Sequence, residues 1–340
     1  MAQETVLVTG GSGYIGSWCV IELLRRGYAV RTTVRDLKSE PRARAAIVAL
    51  AGNQGVLSFH AADLTRDEGW NEAAAGCDYV LHVASPLGVA EPKDPNELIV
   101  PARDGALRAV GAAIRAEVKR VVMTSSVAAT GRGHNAPDGV ADETVWSDGE
   151  DPRIGAYARS KTLAERAAWD LIASSGSATT LATVNPALVL GPVLSQDFSG
   201  SVLVVKRLLS GDVPGVPRLG FNVVDVRDVA DLHIRAMLSD KAAGQRFIAA
   251  GAWAWMGDIA EILRRRLGAD AARVPTRKAP DFLLRLVGLF DKEIGSVAGG
   301  LGRKHDYTSA KAQEILDWRP RALEETIVDC ARSLIVAGAV

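Results

Sequence analysis

The sequence predicts an α/β fold in which a doubly wound parallel sheet carries a smaller C-terminal lobe. A short apolar strand, a glycine-rich turn and an amphipathic helix follow one another at the start of the chain. Strand and helix patterns then alternate regularly up to about Asn185, as in a parallel sheet with crossover helices. The next buried strand is predicted over 180–190. Beyond about Asn185 prolines at positions 186, 192, 214 and 217 interrupt the pattern, which indicates a looser region. Within the remaining chain, short strands over 221–226 and 245–249 are predicted to return to the main sheet, and an amphipathic helix is predicted over 279–290.

The first strand, Thr5–Thr9, is apolar and β-branched, as expected of a strand buried on both faces. Glycines follow at once, with the spacings Gly11-x-Gly13-x-x-Gly16 and Gly10-x-x-Gly13-x-x-Gly16, and a helical pattern then runs to Arg26. This is the order of a Rossmann unit, in which glycines let the backbone approach a pyrophosphate and the helix N-terminus attracts it. The residues predicted to bind the cofactor here are Gly10, Gly13, Tyr14, Ile15 and Gly16.

The second predicted strand, Ala29–Val34, ends at a position that normally contacts the adenosine ribose. An acidic residue there suits NAD, whereas an arginine suits the phosphate of NADP because its planar fork donates paired hydrogen bonds. Arg35 occupies this position, and Lys38 and Arg42 add positive charge close behind it. We therefore predict NADP, while Asp36 leaves NAD as an alternative.

The fourth predicted strand begins at Tyr79 and leads into Val83, Ala84 and Ser85. Ligands collect at the carboxyl ends of parallel strands, so these three residues are predicted to contact the cofactor, with Ala84 and Ser85 at its nicotinamide half. His82 lies within the apolar run, and we interpret it as a core residue and not a catalytic one.

Chemistry is predicted where the fifth strand, Arg120–Ser126, ends in three hydroxyls and where a Tyr and a Lys follow. Tyr157 and Lys161 are four residues apart and so share one face of a helix. A neighbouring cation favours the ionised form of a phenol and brings its pKa, about 10 in isolation, closer to neutrality. We predict Tyr157 as the proton donor to a nascent alkoxide, Lys161 as the group that lowers its pKa and holds the nicotinamide ribose, and a hydroxyl at the end of the fifth strand as the group that holds the carbonyl. Tyr157 and Lys161 are therefore also predicted to contact the cofactor.

The chain resembles the extended short-chain dehydrogenase/reductases, which include bacterial NAD-dependent epimerase/dehydratase family proteins, and among them the dihydroflavonol and cinnamoyl-CoA reductases. The similar segments are Val8-Thr9-Gly10, Thr33-Val34-Arg35-Asp36, Ala84-Ser85-Pro86, Thr124-Ser125-Ser126, Asp142-Glu143, the stretches 185–192 and 223–230, and Ala310-Lys311 to Trp318-Arg319-Pro320. The resemblance implies an NADPH-dependent enzyme in which Ser126 is the catalytic serine and Ser125 the runner-up. It also implies that Asp63 bonds the adenine amino group, that Leu64 packs on the ring, and that Pro186 and Val189 lie along the nicotinamide.

Two departures from these families concern the substrate. Cinnamoyl-CoA reductases carry Asn-Trp-Tyr-Cys-Tyr before the catalytic lysine, where this chain has Arg153-Ile154-Gly155-Ala156-Tyr157. The flavonoid enzymes have an Asn five residues past the catalytic serine, where this chain has Gly131. The function predicted is reversible reduction of ketones or aldehydes by NADPH. The alternatives are an NAD-dependent nucleotide-sugar epimerase or dehydratase and a non-enzymatic NADP-sensing regulator.

The substrate is predicted to bind between the sheet and the smaller lobe. Residues 1–190, with returning strands near 221–250, are predicted to form the NADP-binding domain, and residues 191–220 and 251–340 the substrate-binding lobe. Because the candidate wall is largely apolar, we expect an aryl or aliphatic carbonyl compound. The candidate wall residues are Pro86, Leu87, Thr130, Gly131, Leu188, Phe198, Phe221 and Trp253.

Composition excludes several other classes of protein. Lys and Arg number 40, as do Asp and Glu, which argues against nucleic acid or an anionic membrane as the main partner. No signal-peptide pattern precedes Thr5 and no apolar run approaches roughly 18 residues, so we expect a cytoplasmic protein. Its three cysteines are too scattered for a disulfide framework or a metal site. Apolar helices near Trp169 and Phe282 permit a homodimer.

Overall fold

Seven parallel strands form the central sheet. The computed structural model describes residues 3–52, 55–86, 92–131, 139–194, 200–287 and 299–340. The strands of the central sheet are β1 (Thr5–Thr9), β2 (Ala29–Val34), β3 (Leu57–Ala61), β4 (Tyr79–His82), β5 (Arg120–Thr124), β7 (Thr180–Pro186) and β10 (Gln245–Ala249). They lie side by side in the order β10-β7-β5-β4-β1-β2-β3. The predicted doubly wound α/β fold of the Rossmann type is confirmed.

Helices cover both faces of this sheet because its strands are apolar on both sides. One face packs against α1 (Tyr14–Arg25), α2 (Glu40–Ala51), α7 (Val226–Leu238) and α10 (Ala310–Leu316). The other face packs against α3 (Trp70–Ala74), α4 (Asn96–Arg115) and α5 (Ala156–Ser175). The chain leaves β1 toward β2 on one side and later returns to β4 on the other, so the strand order reverses between β1 and β4. Open α/β sheets bind ligands in the crevice at this reversal.

A second, three-stranded sheet begins the smaller lobe. It consists of β8 (Leu188–Leu190), β9 (Gly220–Asp225) and β11 (Trp253–Trp255), in the order β11-β9-β8. Helices α6 (Gly200–Ser210), α8 (Met256–Leu267) and α11 (Leu323–Val336) pack on it around a separate apolar core. A two-stranded ribbon pairs β6 (Gly139–Ala141) with β12 (His305–Tyr307).

Two strand predictions need correction. The strand expected over 221–226 exists as β9, but it pairs with β8 and β11 and does not return to the main sheet; only β10 does so. The single strand expected over 180–190 is two strands, because the chain passes from the main sheet to the small sheet at Ala187.

The apolar helix expected over 279–290 is present as α9 (Asp281–Val287), and residues 288–298 lie outside the described part of the chain. Its side chains Phe282, Leu283 and Leu286 are exposed, so they do not belong to the core of this chain. Of the helices in the described ranges, none is long and apolar enough to cross a membrane. All three cysteines are free and buried, and no cluster of metal ligands occurs among the described residues.

Candidate active site

The glycine turn between β1 and α1 leaves no room for side chains. Gly10 adopts a positive φ of 71°, a conformation that L side chains rarely adopt. A Cβ atom on Gly16 would lie 2.3 Å from the carbonyl oxygen of Gly10, which is backbone and cannot move aside easily. Gly13 caps α1 without a side chain, so the first N–H groups of the helix remain available for an anion.

Tyr14 joins this turn to the small sheet. Its hydroxyl donates a 2.8 Å hydrogen bond to the carbonyl oxygen of Gly191, and burial raises the pKa of the phenol well above its usual value. The Trp18 indole N–H donates to the Pro192 carbonyl oxygen at 3.0 Å in the same way. Ile15 is partly buried and packs against the core under the sheet. The contacts of Tyr14 and Ile15 with the cofactor remain predictions.

A cavity of about 470 Å³ opens beside the turn and beneath the end of β2. Gly11 and Gly13 line one end of it, and Arg35, Ser39 and Arg42 line another part, next to the N-terminus of α2. Asp36 also lines the cavity, but its carboxylate accepts a 2.9 Å hydrogen bond from the Lys38 N–H and so stabilises the turn before α2. The Ser39 hydroxyl donates to the Asp36 carbonyl oxygen at 2.7 Å. Two guanidinium groups and a helix N-terminus suit the phosphate that distinguishes NADP from NAD. The residues present fit NADP.

The end of β3 offers a carboxylate that is only partly engaged. One oxygen of Asp63 accepts hydrogen bonds from the Thr65 N–H at 2.8 Å and the Thr65 hydroxyl at 2.7 Å. These bonds lower the pKa of Asp63, so the group is ionised and keeps its second oxygen for a donor such as an adenine amino group. Leu64 is partly buried against α4, where it contacts the position of Gly105. Their contacts with adenine remain predictions.

Thr9 and His82 fix the ends of β1 and β4 against each other. The Thr9 hydroxyl oxygen accepts from the N–H groups of Val83 and Ala84, both at 3.0 Å, so its proton is directed to His82 Nδ1 at 2.9 Å. His82 therefore accepts at Nδ1 and is neutral. Burial, with a smaller contribution from the Lys161 charge, lowers its pKa to about 3. The interpretation of His82 as a core residue agrees with this arrangement. The Ser85 hydroxyl donates a long 3.4 Å hydrogen bond to the Pro86 carbonyl oxygen.

Three successive hydroxyls lie at the end of β5, where Thr124 is the last residue of the strand and Ser125 and Ser126 follow it, and the structure separates their roles. Thr124 lies 2.7 Å from Nε2 of buried His233, and the Ser125 hydroxyl donates a 2.6 Å bond to the buried Glu165 carboxylate. Ser126 begins a 3-10 turn (Val127–Thr130), where its hydroxyl oxygen accepts from the Ala128 N–H at 3.1 Å. In the described ranges the Ser126 hydroxyl proton has no acceptor, so Ser126 is the one of the three that can donate to a substrate.

Tyr157 and Lys161 lie on the first two turns of α5, which begins at Ala156. The Lys161 ammonium is 5.9 Å from the centroid of the Tyr157 ring, and Lys161 is only 5% exposed. Neither the phenol hydroxyl nor the ammonium has a hydrogen-bond partner within the described part of the protein. The 3-10 turn that follows Ser126 packs against α5, so the three predicted catalytic residues are on adjoining elements. The arrangement provides two hydroxyls and one cation for a developing oxyanion.

The predictions for the nicotinamide contacts and for the substrate wall have different outcomes. Pro186 ends β7 and is buried, and Val189 is 6% exposed within the core, so their contacts with the nicotinamide remain predictions. Thr130 was wrong as a wall residue because it is fully buried and donates to the Val127 carbonyl oxygen. Leu87 and Phe198 lie outside the described residues.

The strand register separates two other wall candidates. Phe221 is opposite Ala254, whose side chain is in the lobe core, whereas Trp253 is opposite Asn222 on the other face of the small sheet. Phe221 and Leu188 pack against the lobe core. Gly131 is tied by its N–H to the Ser147 hydroxyl at 2.7 Å. Pro86 and Trp253 are partly exposed and remain candidates for the wall.

Sequence reasoning missed a buried ion pair next to the predicted catalytic residues. The Arg246 Nε–H donates to the Glu165 carboxylate at 2.8 Å, and both side chains are almost fully buried. A signal was available, since Glu165 is four residues beyond Lys161 on the same helix. The arginine partner comes from β10 and is distant in the sequence, so it carried no comparable signal.

Comparisons with known proteins agree with this geometry. A family model described as the NAD dependent epimerase/dehydratase family matches residues 6–250. Cinnamoyl-CoA reductase 1 of Arabidopsis thaliana is 38% identical over 267 residues, which cover 78% of this chain and 75% of the plant protein. Dihydroflavonol 4-reductase of Gerbera hybrida is 36% identical over 77% of this chain and 72% of its own. The crystal structure of yeast methylglyoxal/isovaleraldehyde reductase Gre2 with NADPH superposes with a TM-score of 0.80 at 26% identity, covering 99% of this chain and 100% of the yeast chain.

Proposed function

The chain belongs to the NAD dependent epimerase/dehydratase family, and we propose that it is an NADPH-dependent reductase that converts ketones or aldehydes into alcohols. It is an oxidoreductase that uses NADP, like the reductases it resembles. The observation that carries the proposal is the grouping of an uncommitted Ser126 hydroxyl with Tyr157 and Lys161 on adjoining elements.

The cofactor is expected along the carboxyl edge of the sheet. Arg35 and Arg42 would hold the phosphate of the adenosine half, and the N–H groups at the start of α1 would hold the pyrophosphate. The Lys161 ammonium, close to the end of β4, would hold the nicotinamide ribose. When bound, the cofactor supplies the hydride that reduces the carbonyl carbon.

The protein's own groups manage the charge that then develops on the carbonyl oxygen. The Ser126 hydroxyl donates a hydrogen bond to this oxygen and holds it in place. Tyr157 donates its hydroxyl proton to the nascent alkoxide, and the nearby Lys161 cation stabilises the phenolate left behind. Positioned proton transfer of this kind contributes about 10²–10⁴-fold in rate.

The substrate would bind between the edge of the main sheet and the smaller lobe, which contains the sheet of β8, β9 and β11. Two partly exposed apolar side chains, Pro86 and Trp253, support an aryl or aliphatic carbonyl compound. Relatives are named for cinnamoyl-CoA and dihydroflavonol reduction, but Gly131 and the Arg153–Tyr157 segment depart from those families. We therefore propose a carbonyl substrate that is neither a CoA thioester nor a flavonoid.

The test is oxidation of NADPH and of NADH by the purified protein with aryl ketones, aliphatic aldehydes and flavanones. We expect turnover with NADPH, and at least a 10²-fold loss of kcat in Tyr157→Phe with NADPH binding retained. Activity close to wild type in Tyr157→Phe would remove the tyrosine from this role. No turnover with any carbonyl, together with NAD that copurifies with the protein, would support the nucleotide-sugar epimerase or dehydratase instead.

A further inference from the structure

A fully buried carboxylate lies one helical turn beyond Lys161. Glu165 is 0% exposed and accepts five hydrogen bonds, all from donors on other elements. One oxygen accepts from the Thr183 hydroxyl at 2.8 Å and Arg246 Nε at 2.8 Å. The other accepts from the Ser125 hydroxyl at 2.6 Å, Asn185 Nδ2 at 2.9 Å and the Arg246 terminal nitrogen at 3.3 Å. A carboxylate surrounded only by donors is satisfied in its ionised form.

Arg246 supplies the compensating charge and is itself fully engaged. Its guanidinium donates to the carbonyl oxygens of Glu143 at 2.8 Å and Val145 at 2.9 Å. It also lies 3.6 Å from the centroid of the Trp146 ring, which covers it. Removing one member of such a pair leaves a buried charge without a partner, which is strongly destabilising.

The network reaches the backbone that presents Ser126. Ser126 follows the end of β5, so the strand ladder no longer holds it. Asn185 Nδ2 donates to the Ser126 carbonyl oxygen at 3.2 Å while the same amide donates to Glu165. The neighbouring Ser125 hydroxyl is held by Glu165 directly. Both ends of the Ser125–Ser126 segment are thus tied to α5, the helix that carries Tyr157 and Lys161.

We propose that Glu165, held by Arg246, is a positioning residue that fixes Ser126 relative to Tyr157. The inference rests on the proposed function, because Ser126 and Tyr157 must reach one carbonyl oxygen together. A misplacement of about 1 Å in such a pair costs about 10²-fold in rate. Glu165 touches neither reacting atom and acts through Ser125 and Asn185.

The test compares Glu165→Gln with Arg120→Lys. The glutamine keeps the shape of the side chain but points an N–H₂ group at donors and leaves Arg246 unpaired. Arg120 is a matched control: it is 7% exposed, lies at the opposite end of β5, and donates to the carbonyl oxygens of Ala236, Met237 and Ser239. Both substitutions disturb a buried network, but only one network reaches Ser126.

We expect kcat to fall about 10²-fold in Glu165→Gln, with the Kd for NADPH within twofold of wild type. The isotope effect on kcat from NADPH deuterated at the transferred hydrogen should increase, because the chemical step becomes rate-limiting. Arg120→Lys should lower the melting temperature yet keep kcat and the isotope effect. Glu165→Gln with kcat within threefold of wild type, or an equal loss in Arg120→Lys, would overturn the proposal.

If Glu165→Gln does not fold, Ser125→Ala tests the proposal instead. It removes the hydrogen bond between Ser125 and Glu165 but keeps the ion pair between Glu165 and Arg246. About a 10-fold loss of kcat with unchanged NADPH affinity would support positioning, and unchanged kcat would refute it. A wild-type protein without carbonyl-dependent NADPH oxidation would refute the proposed function. An active wild type with an equally active Glu165→Gln would refute only the positioning role.

Discussion

Replacing His233 by glutamine should make the protein less sensitive to mild acid. His233 is 0% exposed, Nε2 lies 2.7 Å from the Thr124 hydroxyl, and Nδ1 lies 2.7 Å from the Val229 carbonyl oxygen. The carbonyl can only accept, so Nδ1 carries the proton and the ring is neutral. Burial lowers the pKa of His233 to about 4, from an ordinary value of about 6.5.

The sign follows from the direction of this shift. The folded pKa is depressed, so the stabilising contribution of neutral His233 is fully present above about pH 6.5 and is lost as the pH falls toward 4. Each pH unit within this window costs about 1.4 kcal/mol of unfolding free energy. Between pH 7.0 and 5.5 the loss amounts to about 1.2 kcal/mol, because the unfolded histidine gains its proton gradually around pH 6.5 and already binds part of it at pH 7.0.

The assay is urea unfolding followed by tryptophan fluorescence at both pH values. Comparing variants is essential because Asp228 acts in the opposite sense: burial raises its pKa to about 6, so its contribution is lost as the pH rises toward 6. Asp228 is common to wild type and variant and cancels in their difference. We expect that difference to shift by about 1.2 kcal/mol in favour of His233→Gln on acidification. Parallel behaviour of the two proteins would refute the reasoning, and His305→Gln, at a partly exposed site, serves as the control.

Three further predictions concern the site. Gly16→Ala should weaken NADPH binding at least 10-fold in a fluorescence titration, because the added Cβ would lie 2.3 Å from the Gly10 carbonyl oxygen. The control Gly257→Ala in α8, whose Cβ meets nothing within 4 Å, should bind NADPH normally, and equal affinities of the two variants would contradict the prediction. Ser126→Ala should lower kcat about 10²–10³-fold with little change in the KM for NADPH, and a loss below threefold would exclude its hydroxyl from the reaction. The double variant Arg35→Ala/Arg42→Ala should raise the KM for NADPH at least 10-fold, since hydrogen bonds to charged groups contribute about 1.5–3 kcal/mol each, and should leave the KM for NADH nearly unchanged. Equal effects on both KM values would argue against recognition of the NADP phosphate by these arginines.

The main sheet and the glycine turn could be predicted because their signals are local. Buried parallel strands read as continuous apolar runs, and the turn to α1 reads as glycine spacing. The reliance on local signals also explains why the assignment of strands to sheets was wrong. The run over 180–190 is largely apolar, and Pro186 within it was not interpreted as the end of one strand, although β7 ends there and β8 belongs to a different sheet. The strand β9 was identified, but long-range packing determines that it pairs with β8 and β11. The hydrophobic periodicity of a single strand does not predict its partners.

The three hydroxyls at the end of β5 also depend on contacts that the local sequence does not reveal. In the sequence Thr124, Ser125 and Ser126 are equivalent hydrogen-bond donors, and only resemblance ranked one above the others. In the structure the first contacts buried His233 and the second is held by buried Glu165, so neither can turn to a substrate without leaving a buried group unsatisfied. Ser126 accepts a backbone N–H, which immobilises its oxygen and leaves its proton to give. Ser126 is therefore available for catalysis because its two neighbours are hydrogen-bonded elsewhere, Thr124 to His233 on α7 and Ser125 to Glu165 on α5. Both helices are distant from Ser126 in the sequence.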